Sequence, residues 1–122
     1  MRAVVVREHG GPETLCFEER EVPRPGPREV RVRVRAVGLN HLDVWVRRGV
    51  PGHVFPLPIV PGCDVAGVVE AMGPGARGCA VGDAVVLGPG VSCGLCTACR
   101  RGDDALCRSY EILGESRDGG CQ

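Results

Sequence analysis

Cys93, Cys96, Cys99 and Cys107 fall within fifteen residues near the end of the chain. The first three are separated by two-residue gaps, in Cys93-Gly94-Leu95-Cys96-Thr97-Ala98-Cys99, and seven residues then lead to Cys107. Two-residue gaps let neighbouring sulfurs converge on one point, and the longer gap lets the chain turn back to close a tetrahedron. Four thiolates with no open coordination position describe a structural zinc site. Such a centre is anionic, and Arg100, Arg101 and Arg108 stand close enough in sequence to offset it. Three other readings use the same residues: disulfides, an iron–sulfur cluster, or four unligated thiols. Nothing in the chain signals export. The bacterial cluster run places its fourth cysteine after three residues and follows it with proline, whereas Arg108 follows here. Zinc in a lobe spanning about residues 89–110 is therefore the expectation.

The totals bound what surrounds that lobe. The chain has 122 residues, enough for one domain with a core. Fifteen basic residues, all arginine, balance fifteen acidic ones. A net charge of zero gives no electrostatic reason to bind nucleic acid or an anionic membrane surface. Met1 to Glu8 is charged too early for a signal peptide, and no apolar run reaches membrane-spanning length. A reducing cytoplasm is the expected compartment, where clustered cysteines favour metal over disulfides. Cys16, Cys63, Cys79 and Cys121 are scattered, and each is expected to be a small buried hydrophobe.

Nineteen glycines and ten prolines argue for short strands and turns. Ala3 to Glu8 and Thr14 to Arg20 read as strands around the turn Gly10-Gly11-Pro12. Val30-Arg31-Val32-Arg33-Val34-Arg35 alternates, which predicts a half-buried strand with valines inward. Its arginine stripe is read as a solvated face paired with Glu18, Glu19 and Glu21 rather than as an RNA surface. Asn40 to Arg48 reads as a helix capped by Asn40 and stopped by Gly49, with Leu42, Trp45 and Val46 on its core face. Pro51 to Pro61 reads as an extended loop, and Val65 to Ala71 and Ala84 to Leu87 as strands. Gly73-Pro74-Gly75-Ala76-Arg77-Gly78 matches a dinucleotide fingerprint in spelling alone. A strand rather than a helix is expected after it, so it reads as a turn.

Several stretches together resemble the amino-terminal part of the medium-chain dehydrogenase/reductase superfamily, which includes zinc alcohol dehydrogenases and quinone oxidoreductases. They are Val37-Gly38-Leu39-Asn40-His41-Leu42-Asp43, Pro61-Gly62-Cys63-Asp64-Val65-Ala66-Gly67-Val68-Val69, Val81-Gly82-Asp83-Ala84-Val85, the four-cysteine lobe, and Gly114-Glu115-Ser116-Arg117-Asp118-Gly119-Gly120. The resemblance implies a mainly β fold: a GroES-like, partly open β-barrel over residues 1–122, with a short helix and a cysteine-rich structural zinc lobe. It also implies an NAD(P)-dependent oxidoreductase that acts on a small-molecule substrate.

Departures from the family pattern shape the functional expectation. Zinc alcohol dehydrogenases place a cysteine ligand where this chain has Asn40, a histidine at Cys63, a glutamate at Asp64, and a proton-relaying hydroxyl at Leu42. The set present here is more similar to the zinc-independent quinone oxidoreductase branch. Asn40, Asp43, Cys63 and Asp64 are the candidate cleft residues, and Cys63 with Asp64 or His41 remains an alternative metal set. The family's Rossmann domain has no counterpart in the chain, so by itself it is expected not to bind NAD(P). Two readings follow. One is the catalytic-domain portion of an enzyme that moves hydride to or from a carbonyl or an activated double bond. The other is a non-enzymatic, zinc-stabilised structural or interaction module from a truncated gene. Unfinished sheet edges would favour self-association in either case.

Overall fold

The computed structural model describes residues 1–122. Its strands fall into three small antiparallel sheets rather than one closed barrel. β1 (Arg2–Val6) pairs with β2 (Leu15–Glu19) across a short 3-10 turn at Pro12–Thr14. β3 (Val30–Gly38) is followed by helix α1 (His41–Arg48), and β4 (Asp64–Met72) and β5 (Ala84–Leu87) complete a three-stranded sheet in the order β3-β4-β5. A two-residue pair, β6 (Gly90–Val91) and β7 (Glu111–Ile112), brackets helix α2 (Thr97–Arg101) and the cysteines. The strands and helix α1 lie where the sequence patterns place them, within two or three residues at their ends. Sequence patterns did not announce α2, β6 or β7, whose few residues carry no periodicity.

The core is small. Seventeen of 122 residues are buried, so a few contacts must hold the layers together. Val6, Val46, Phe55 and Ile59 form one cluster; Ala3, Val5 and Val60 form the other. Both depend on the proline-rich segment doubling back on β1. There Val6 N–H donates to the Ile59 carbonyl at 2.9 Å and Ile59 N–H returns to Val6 at 3.0 Å. Helix α1 reaches this core through Val46, with Leu42 packed beside it. Trp45 departs from the expected core face: it is 50% exposed and meets the His41 ring edge-on, with centroids 5.1 Å apart.

The β3 valines are half-buried as expected, facing a groove of about 930 Å³ between β3, β4 and the chain ends, lined by Val30, Val32, Val34, Val65, Val69 and Val85; the arginine stripe and the scattered cysteines depart from expectation. The pairing of β3 with β4 also slips between Arg31 and Val32 and between Val34 and Ala36, which bends the strand and ends the strict alternation. The arginine stripe does not pair with β2. Arg31 contacts Glu70 at 3.0 Å on the adjacent strand, Glu18 is taken by Arg7, and Glu19 lies near the amino terminus. Cross-strand neighbours are simply closer than a strand in another sheet. Nor are all the scattered cysteines buried: Cys63 is, while Cys16, Cys79 and Cys121 are partly exposed.

Ile59→Ala is expected to lower stability by about 2–5 kcal/mol, because β1, helix α1 and the proline-rich segment close around that side chain. Val86→Ala, at a position 82% exposed on β5, is expected to change it by less than about 0.5 kcal/mol. Denaturant midpoints of the two variants provide the check.

Candidate functional site

The four lobe cysteines converge. Their sulfurs all lie within 4.8 Å of one another. Cys96 and Cys99 sulfurs are 3.5 Å apart and those of Cys93 and Cys99 are 3.9 Å apart. A tetrahedron of sulfurs about 2.3 Å from a central zinc has edges of about 3.8 Å. A disulfide needs about 2.0 Å, and all eight cysteines are free. Sulfurs this close leave room for one ion rather than a multi-iron cluster. The donor set and its spacing therefore fit zinc.

Backbone amides organise the lobe before any ion is considered. The N–H groups of Leu95 and Cys96 point at the Cys93 sulfur at 3.5 and 3.4 Å, and Cys93 N–H points at Cys107 at 3.5 Å. Those amides hold the Cys93 thiol down to about 6. Cys96 moves the other way: the Cys99 backbone favours its thiolate, yet the Cys99 thiol, burial and the remaining sulfurs push it up to about 11. Four adjacent thiols resist ionising together, and a divalent cation removes that resistance.

A second constellation lies where α1 begins beside the start of β4. Asn40 sits at the N-cap position and forms a capping box with Asp43, while its side-chain amide nitrogen reaches elsewhere. Its Nδ2 donates to Asp64 Oδ2 at 2.7 Å and to Cys63 Sγ at 3.3 Å. Asp43, at the third helical position, supplies the return arm of that box: its Oδ2 accepts the Asn40 N–H at 2.7 Å. Its other oxygen, Oδ1, accepts the Gly62 N–H at 2.8 Å. Asp43 is thus occupied on both oxygens by backbone and acts as a clamp, whereas Asn40, Cys63 and Asp64 form a contiguous hydrogen-bonded set. The Asp43–Asn40 bond is readable in the three-residue spacing. The Asp43–Gly62 bond spans nineteen residues, and nothing in the sequence announces it.

This set does not suit a catalytic zinc. Asn40 could offer a metal only its neutral amide oxygen, a poor zinc ligand beside thiolate or imidazole, and its Nδ2 engages the sulfur and oxygen a metal would need. Burial, then the charges of Asp43 and Asp64, push the Cys63 thiol up, so it stays protonated at neutral pH. His41 is turned toward Trp45. Ligand atoms of three or more histidine, cysteine, aspartate or glutamate residues come together only in the lobe. The glycine motif at residues 73–78 is a turn leading to β5, with Ala76 N–H on the Gly73 carbonyl at 3.2 Å, and no helix follows to receive a pyrophosphate.

Asp64→Asn removes one negative charge facing Cys63, so the Cys63 thiol is expected to ionise at lower pH than in the wild type. Asn40→Ala removes the donor that favours the thiolate and is expected to shift ionisation upward. Iodoacetamide labelling of Cys63 against pH, read by peptide mapping, checks both signs.

The geometry agrees with what comparison finds. The alcohol dehydrogenase GroES-like domain family matches residues 26–122. A crystal structure of an NAD-dependent alcohol dehydrogenase superposes with a TM-score of 0.89 at 59% identity, covering 98% of this chain and 35% of that protein. An alcohol dehydrogenase of Rhizobium meliloti is 40% identical over 98% of this chain and 35% of its own length. A 2-haloacrylate reductase of a Burkholderia species is 43% identical over 68% of the chain and 26% of its own length. The chain thus spans about a third of the length of the first two relatives. With the match running through both cysteine lobe and cleft, the chain belongs to the alcohol dehydrogenase GroES-like domain family.

Proposed function

We propose that this chain supplies the substrate cleft of an NAD(P)-dependent oxidoreductase, with one structural zinc in the cysteine lobe and no catalytic metal. The observation that carries the reading is the Asn40 carboxamide, which donates both its hydrogens to Cys63 and Asp64. A cleft arranged in this way has no Lewis acid to polarise a carbonyl. It also carries carboxylates at Asp43 and Asp64, which disfavour a localised alkoxide. Substrates that delocalise the charge developed on hydride addition suit it better, and an activated double bond is of that kind. The 2-haloacrylate reductase among the relatives bears a name of the same chemistry.

The hydride itself is supplied by the nicotinamide when bound. This chain's residues orient the substrate and exclude water. Asn40 and Asp64 line the polar side; His41 at the first position of α1 and Trp45 one turn on offer an aromatic edge. The substrate is a small molecule, and the compartment is the cytoplasm. No helix of the chain is long and apolar enough to cross a membrane.

Two measurements test the proposal. Native mass spectrometry is expected to find one zinc per chain, and Cys99→Ser is expected to abolish it and unravel the lobe while the Val6–Ile59 core persists. A second bound zinc lost on Cys63→Ser would contradict the metal-free cleft. For activity, residues 1–122 can replace the matching third of the 59% identical NAD-dependent alcohol dehydrogenase. The chimera is expected to oxidise NAD(P)H with an α,β-unsaturated ketone, and Asn40→Ala to lower kcat/KM by about ten-fold, or about 1.4 kcal/mol of transition-state stabilisation. Turnover confined to alcohols and dependent on added zinc would overturn the reading.

A further inference from the structure

We propose that the cysteine lobe positions the cleft, through a junction where three buried stretches of backbone meet at Gly62, Gly114 and Gly119. The proposal rests on the reading of the four cysteines as the zinc site, and it concerns what that site does at a distance.

The lobe returns to the barrel along β7, and Gly114 lies two residues beyond its end. Gly114 is buried with φ +78°, and a Cβ there would stand 2.7 Å from the Gly62 nitrogen and 2.9 Å from its carbonyl carbon. A Cβ on Gly119 would stand 2.3 Å from the Gly62 oxygen and 2.7 Å from Gly114 Cα. Gly120 N–H then donates to that same Gly62 oxygen at 2.8 Å. Three backbones are in mutual contact with no side chain between them. Gly62, at φ +101°, is the residue that matters to the cleft. Its N–H is held by Asp43, Asp43 holds the Asn40 N–H, and the Asn40 side chain holds Cys63 and Asp64. Only glycine admits such an approach at these φ values.

Close-packed backbone transmits displacement because it has no slack to absorb it. The anchor on the lobe side is weak by itself: between Gly88 and Leu113 only Cys107 is buried. Order in that segment is therefore metal-dependent, and the junction passes it to Gly62. Asp43 and Gly114 are positioning residues in this scheme, since neither meets a substrate.

Amide hydrogen exchange of the full chain, resolved by NMR, tests the coupling without any activity readout. Zinc removal by a chelator is expected to speed exchange at Gly62 and Asn40 by about ten-fold or more, while Val6 and Val69 keep their protection. Gly114→Ala is expected to produce the same loss at Gly62 with zinc still bound. Unchanged Gly62 and Asn40 exchange after zinc removal would overturn the proposal, as would an equal loss at Val6 and Val69. Unchanged Gly62 exchange in a folded, zinc-loaded Gly114→Ala protein would overturn it too; if that variant does not fold, the chelation experiment decides alone. A purified chain that takes up no zinc would refute the zinc reading instead, and the glycine variant would then decide the junction.

Discussion

Four sulfurs within 4.8 Å of one another form the interior of a segment that otherwise has none. From Gly88 to Leu113 a single residue, Cys107, is buried, and the regular structure there amounts to a five-residue helix, a short 3-10 turn and a two-residue strand pair. Hydrophobic burial at that level does not offset the entropy of ordering the chain. Coordination of an ion by four thiolates would, and the free energy of binding would then be the free energy of folding that segment. Amides aimed at Cys93 already favour its thiolate, and the charge of a bound ion would favour the thiolates of its neighbours.

The same economy shapes the cleft. The barrel portion buries few residues, so its polar groups are fixed by hydrogen bonds that tie elements together rather than by bulk packing. Asp43 joins the start of α1 to the strand approach at Gly62, and Asn40 crosses to Cys63 and Asp64. A metal would hold such residues by coordination. Here a carboxamide holds them by donation, while burial and the charges of Asp43 and Asp64 push the Cys63 thiol up against it. The chemistry assigned to the cleft follows from that substitution of donor for ligand.

Much of this was legible in the residues. Cysteine spacing specified the sulfur cluster, because two-residue gaps leave few other geometries. Alternation located β3, and Gly49 and Asn40 bounded α1. What the residues concealed depends on contacts distant in sequence. The partners of the arginine stripe are set by which strand lies adjacent, and Glu70 is adjacent whereas Glu18 is not. Trp45 looked like a core residue because helical periodicity places it near Val46; the core is too small to reach it. Asn40 has the identity of a cap and serves in one, but its side-chain amide nitrogen also reaches Cys63 and Asp64, more than twenty residues away, which no local pattern shows. The meeting of Gly62 with Gly114 and Gly119 leaves no trace in any local pattern.

X-ray absorption at the zinc edge tests the central claim most directly. If the metal belongs to the lobe alone, its first shell contains four sulfurs at about 2.3 Å and no nitrogen or oxygen. A shell with a nitrogen or oxygen component at about 2.0–2.1 Å would place metal in the cleft and contradict the account.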